Sequence, residues 1–296
     1  MIMKSCYINV TFRSGAMIMI STLRCLGIFL LLCCLALSGY AAEKSARAGE
    51  IKNNIVAEGA CAIVGMSAEQ CQLTALQRAR AAAIEQAAGV TVTSATLVTN
   101  LTIAADFIKT YSRGFVVREK ATWLPLGQYQ KDSSVAPIPE YRVRITADVY
   151  VPKKTRTSVG LKAKLNNSIF RSGEKVAFTL QSARRAGFAV FNIMADDRVA
   201  IIYPNAHETG NILEPGRAIT FPAKDAKIEM EVQTLPGHKR DAEAYLIVVW
   251  DSNADIRIPD IFPEAAPMSV PEFFGRLMEI ADRIEDAILP YEVVAQ

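Results

Sequence analysis

Tyr141-Arg142-Val143-Arg144-Ile145-Thr146-Ala147-Asp148-Val149-Tyr150-Val151 decides the fold of the N-terminal half. Tyr141, Val143, Ile145, Ala147, Val149 and Val151 alternate with Arg142, Arg144, Thr146, Asp148 and Tyr150. A period of two is that of a strand with one buried face. Such a face needs a cover, and the chain offers one upstream. Ser67 opens a helix, Gln70 stands where a capping box needs it, and Gly89 closes the helix in the left-handed position. Cys71, Ala75, Ala79, Ala83 and Ala87 recur at every fourth residue and form a ridge of small side chains. A ridge of that kind lets a helix lie close against another element. Leu76 and Ile84 flank the ridge, while Arg78, Arg80 and Glu85 are expected to reach water.

Further strands are expected at Ile55–Val64 and Phe115–Trp123, with Gly59 marking a bulge or a close backbone contact in the first. Val90–Asn100 suits a strand and Ile103–Tyr111 a short helix ended by Ser112-Arg113-Gly114. Residues 43–53 are a polar lead-in. The stretch from Pro125 to Pro139 is an exposed tongue and a candidate contact surface.

After a basic linker, Lys153 to Thr157, come strand-sized runs at Val159–Leu165, Lys175–Ser182, Gly187–Ala195, Val199–Tyr203, Arg217–Phe221, Lys227–Thr234 and Ala244–Asp251. Seven short strands with frequent turn signals suggest a β-sandwich. Asp196-Asp197 falls in a tight turn, and Pro215-Gly216 fits a type II turn. Trp250 closes an apolar strand and is expected to plug the core. The tail reads as a helix from Ser269, with the apolar stripe Phe273, Leu277, Ile280, Ile284 and Ala287. The expected architecture is therefore α+β: an N-terminal sheet-and-helix domain over 43–153, then a β-sandwich-like domain over 158–296 with a C-terminal helix.

The first 41 residues stand apart. Leu26 to Leu37 is apolar apart from Gly27, with Arg24 before it and small residues behind it. That order is the one found in secretory signals, and the run is short for a membrane span. Cleavage is expected after Ala41, with an uncleaved anchor as the alternative; Met17 or Met19 would give a more compact leader. Tyr40 stands where a lipid-bearing Cys would be needed. The leader carries three of the 33 basic residues and none of the 30 acidic ones, so the remainder is electrically balanced. Charge-driven nucleic-acid binding is not expected of such a chain. Four of the six Cys lie in the leader. Cys61 and Cys71 remain, and an oxidising compartment favours a disulfide between them; two buried thiols are the alternative. Two Cys are too few for a structural zinc site.

Two resemblances follow from ordered motifs. Glu58-Gly59-Ala60, the helix with Arg78-Ala79-Arg80-Ala81-Ala82-Ala83, Val92-x-Ser94, Ser112-Arg113-Gly114 and Val143-x-Ile145-x-Ala147-x-Val149 resemble the N-terminal domain of flagellar assembly protein T and related small envelope lipoproteins, over about 54–151. Gly173-x-x-Val176, Gly187-Phe188, Asp196-Asp197, Ile202-Tyr203-Pro204-Asn205, Leu213-x-Pro215-Gly216 and Ile219-x-Phe221-Pro222 are similar to domain-of-unknown-function family 4384, over about 170–250. The first implies an α+β module that assembles around other envelope proteins. The second implies a β-rich module of bacterial envelope and signalling proteins, and supplies no catalytic residues.

The nucleophile elbow, phosphate loop, zinc-protease motif and dinucleotide fingerprint are all missing from the sequence. His207 and His238 lie in polar loops without an obvious orienting partner, and Asp196-Asp197 offers too few oxygens for calcium. The sequence therefore leads to an exported, periplasmic or secreted, non-enzymatic protein without cofactor or metal, whose partner is another envelope protein. Membrane association is expected only through a partner or an uncleaved leader. A small-ligand or glycan binder using the sandwich is the alternative, and an unrecognised hydrolase a more distant one.

Overall fold

The structure is a computed structural model that describes residues 49–89, 114–130, 132–152, 158–205, 209–210, 212–223, 226, 228–263 and 266–296. The expected leader, the strand at Val90–Asn100, the helix at Ile103–Tyr111, the linker 153–157 and His207 lie outside them. The described chain is mostly β-sheet with few helices, a β-rich α+β fold.

The N-terminal sheet has the order β1-β4-β2, with β1 at Gly49–Ala62, β2 at Phe115–Trp123 and β4 at Ile138–Pro152. A short β3, Gly127–Tyr129, also pairs with β4. All pairings are antiparallel. The alternation in β4 holds from Arg142 to Val149, but Tyr150, expected on the polar face, is buried, stacked on Phe115 of β2 with ring centroids 5.5 Å apart. Val143, Ile145, Ala147 and Val149 are buried, while Arg142, Arg144 and Thr146 are exposed. Helix α1, Ala68–Ala88, covers the apolar face. Ser67 caps it reciprocally with Gln70, both bonds 3.1 Å, and Gly89 ends it at φ 71°. The ridge of Cys71, Ala75, Ala79, Ala83 and Ala87 is buried throughout. Gly59 is where the helix meets β1: a Cβ there would stand 2.0 Å from the Ala75 carbonyl oxygen. The expected close contact is thus explained by backbone lying directly on backbone.

Two readings of this half need correction. Strand β1 already begins at Gly49, so the last part of the supposed lead-in is sheet, held by pairing with Val149 to Pro152. Arg80 does not reach water. It is 2% exposed, because two carboxylates reach it inside the core.

The C-terminal half contains a seven-stranded and a three-stranded sheet. The larger has the order β13-β9-β8-β12-β14-β6, with β10 also on β8. Its strands are β6 at Ile169–Arg171, β8 at Ala186–Ile193, β9 at Arg198–Tyr203, β10 at Ile212–Leu213, β12 at Arg240–Asp251, β13 at Met268–Ser269 and β14 at Ile284–Val294. The smaller has the order β11-β7-β5, from Ile219–Phe221, Phe178–Gln181 and Lys162–Leu165. Strand β12 is central and apolar on both faces. Tyr245, Ile247 and Val249 enter a core shared with the small sheet, where Phe178, Phe188, Tyr203 and Phe221 stack. Ala244, Leu246 and Val248 enter the other core, which also contains α1 and the N-terminal sheet. Glu285 fixes the chain's entry into this half, accepting from the Gly160 and Leu161 amides at 2.9 and 3.2 Å.

The expected tail helix is cut short. After a four-residue α2 at Ile258–Ile261, helix α3 spans only Val270–Leu277, capped by Ser269. Phe273, Leu277 and Ile280 are buried as the stripe predicts, but Ile284 and Ala287 belong to β14. Eleven residue pairs with β12 hold this segment extended, and tertiary pairing overrides the helical spacing. Lys227–Thr234, expected as a strand, makes one isolated bridge, Lys175–Glu231. Its described apolar residues Ile228, Met230 and Val232 are nevertheless buried.

Candidate interaction surface

The N-terminal sheet has a helix on one face. Its other face carries the polar half of the period-two pattern: Glu140, Arg142, Arg144, Thr146 and Asp148 of β4, beside Glu58 and Ala60 of β1. An open cavity of about 410 Å³ lies here, lined by Glu58, Gly59, Ala60, Gly127, Gln128, Glu140 and Arg142. Ala60 and Gly127, which carry a methyl group and a hydrogen, leave it open: a Cβ on Gly127 would stand 3.0 Å from Arg142 Cδ.

The charges around the cavity are unevenly committed. Arg144 grips Glu58 through Nε and Nη2, at 2.8 and 2.6 Å. That hydrogen bond, with the positive charges of Arg144 and Arg142, holds the Glu58 carboxyl below its ordinary pKa. Arg142 reaches Glu58 only at 3.4 Å and keeps about half its side chain in solvent. An exposed pair of this kind contributes little to stability, so Arg142 is available to other partners. The tongue adjoins the cavity. Its base is not a loop: β3 pairs with Ile138–Glu140, and Asp132 caps the tip by accepting from the Ser134 amide at 2.9 Å. Leu126 is 58% exposed, Trp123 46% and Val135 43%.

Cys61 ends β1 and Cys71 lies in the first turn of α1, as the spacing expects. Both are buried and carry free thiols in this structure, and the two residues come within 2.9 Å. The Cys71 thiol donates to the Cys61 carbonyl at 2.8 Å. Burial, with Cys61 alongside, pushes the Cys71 thiol up to about 12. A buried thiol of that kind is a poor nucleophile.

His238, expected in a polar loop without an orienting partner, has one. It lies in a turn with its side chain 10% exposed, and Nδ1 is 2.6 Å from the buried Asp241 carboxylate. Asp241 also accepts from the Leu235 amide. Gln70 of α1 donates to the Arg240 carbonyl at 3.0 Å, which ties the helix start to β12. The i,i+3 spacing of His238 and Asp241 is the sequence signal that could have shown this pair. Nearby, Glu243 accepts from Tyr291 at 2.5 Å and Asn192 at 3.0 Å. Burial nonetheless raises the Glu243 pKa. No group of three or more potential metal ligands occurs among the described residues. Among the same residues, no helix is long and apolar enough to cross a membrane.

The Asp196-Asp197 turn is where the sequence places it, with Asp197 at φ 65° and its amide bonded to Met194. Tyr203 of the Tyr-Pro-Asn motif is buried against Phe188, with ring centroids 4.6 Å apart. Asn205 turns back to donate to the Ile202 carbonyl at 2.9 Å. Gly216 has φ 72° within a turn closed from Arg217 to Glu214, as the type II reading requires.

Residues 169–242 match a family model described as a domain of unknown function (DUF4384), which agrees with the motif order noted above. The match ends as β12 begins. Tyr245, Ile247, Val249, Tyr291 and Val293, which complete the core of that module, lie beyond it. No curated protein matches the chain.

Proposed function

We propose that this is an exported, non-enzymatic bacterial envelope protein that assembles with another envelope protein through the outer face of its N-terminal sheet. The observation that carries this reading is the cavity over Gly59, Ala60 and Gly127. Loosely held Arg142 and the Glu140 carboxylate border it, next to exposed Leu126 and Val135 of the tongue. A partner segment presenting an acidic group to Arg142 and a basic group to Glu140 fits this chemistry. The resemblance of residues 54–151 to flagellar assembly protein T and small envelope lipoproteins points the same way.

The leader ending near Ala41 supplies the route of export, to the periplasm or beyond. In that compartment Cys61 and Cys71 are oxidised to a disulfide, and the second module is a β-sandwich of the seven- and three-stranded sheets. The partner contact is tested by Arg142→Glu and Glu140→Lys in the full chain. Each should abolish co-purification of a crosslinked partner while leaving the circular dichroism melt unchanged. Retention of the partner by both folded variants would overturn the reading.

A further inference from the structure

Arg80 sits midway between Leu76 and Ile84, on the row that flanks the alanine ridge of α1. Its Nε and Nη2 donate to the two oxygens of Glu119 at 2.8 and 2.6 Å. Nη1 and Nη2 donate to the two oxygens of Asp197 at 2.5 and 2.8 Å. Burial works against the charge, but the two carboxylates outweigh it and hold the guanidinium protonated, above its ordinary pKa. Bidentate pairs of this kind are the directional form of charge-assisted bonding.

The two carboxylates belong to different sheets. Glu119 is on β2 of the N-terminal sheet, and Asp197 is in the β8–β9 turn of the seven-stranded sheet. The same two sheets meet through aromatic rings on α3. Phe274 stacks on Phe115 of β2 at 5.1 Å, and Phe273 meets Phe191 of β8 at 4.8 Å. Stacked rings tolerate sliding, whereas two bidentate forks on one guanidinium fix position and angle together. Replacing a buried ion cluster by apolar groups is often neutral for stability, so its effect is sought in which arrangement is chosen.

We propose that Arg80, Glu119 and Asp197 form a charge lock that sets the N-terminal sheet on the DUF4384-matched module and keeps the aromatic seam closed. The three charges sum to minus one. Removing Arg80 leaves two carboxylates facing each other and opens the seam. Removing the Asp197 charge leaves Arg80 held by the N-terminal sheet alone and frees the module.

Hydrogen exchange on the full chain tests this with Arg80→Met and Asp197→Asn, and with Arg185→Met, which breaks an exposed ion pair to Glu214, as the control. In both lock variants, amides of Phe115–Glu119 and Val270–Leu277 should exchange about tenfold faster, while those of Ala244–Val249 keep their rate. The control should leave all three segments unchanged. Asn tolerates a positive φ, so Asp197→Asn carries the test if Arg80→Met fails to fold. Unchanged exchange at the seam would overturn the proposal, and so would equal acceleration in Ala244–Val249, the mark of an ordinary core residue.

Discussion

Two regions of this protein are packed by opposite means. Under α1 the contact is made by what is missing: Gly59, Ala75 and Ala79 let helix backbone lie on strand backbone. On the seven-stranded sheet it is made by bulk. Phe191, Phe262, Phe273 and Phe274 interlock on one face, and Phe188, Tyr203 and Phe221 on the other. The first kind of packing has no room to gain an atom, and the second cannot lose a ring without a void. The largest expected effect follows from the first. A Cβ at Gly59 meets the Ala75 carbonyl at 2.0 Å and the Ala79 amide at 2.5 Å, and neither is a side chain that can turn away. Gly59→Ala should therefore cost more than ~4 kcal/mol, in the exceptional range for a single substitution, read as loss of the folded state in a denaturant melt.

The aromatic region should answer to truncation. Phe191→Ala removes a fully buried ring between Phe262 and Phe273 and should cost ~3–5 kcal/mol, read from the same melt. Equal tolerance of both substitutions would break the contrast. A smaller loss sharpens it at the helix end. Ser67→Ala removes the cap that accepts the Gln70 amide and should cost ~1 kcal/mol, since other first-turn contacts persist.

The smallest effect is conditional on pH. Burial raises the Glu243 pKa, so the contribution of this group is present below its unfolded-state value and lost as pH rises through the folded one. At neutral pH the raised pKa therefore counts against the folded state. Glu243→Gln keeps an acceptor for Tyr291 and should raise the melting temperature at pH 7. The gain should shrink towards zero as the pH falls to the ordinary carboxylate range. A variant less stable at pH 7 would show that the charge itself holds the network together.

The small-residue packing is legible in the sequence, and the aromatic packing only in part. Period two from Arg142 to Val149, the alanine ridge, the Ser67 box and the Gly89 stop are local signals that agree with the structure, whereas Tyr150 leaves the period to stack on Phe115. Arg80 is hidden because its charge predicts exposure, whereas its position between Leu76 and Ile84, at the same spacing beside the ridge, predicts burial. Its partners are 39 and 117 residues away, which no local pattern reports. The tail failed for a related reason. Its helical stripe holds through Ile280, but the pairing demand of β12, buried on both faces, claims Ile284–Val294 as a strand. The cavity is kept open by Ala60 and Gly127, which come from two distant strands. It became visible only when those strands were registered against Glu140 and Arg142.

The claim that this outer face meets an envelope partner is tested most directly by site-specific photocrosslinking in the cells that make the protein. One probe is placed at Gln128 on the cavity and another at exposed Arg217 on the opposite module. The account predicts a discrete protein adduct from Gln128 that disappears when Arg142→Glu is added, and none from Arg217. An adduct at Arg217 with none at Gln128, or a Gln128 adduct indifferent to Arg142→Glu, would contradict it.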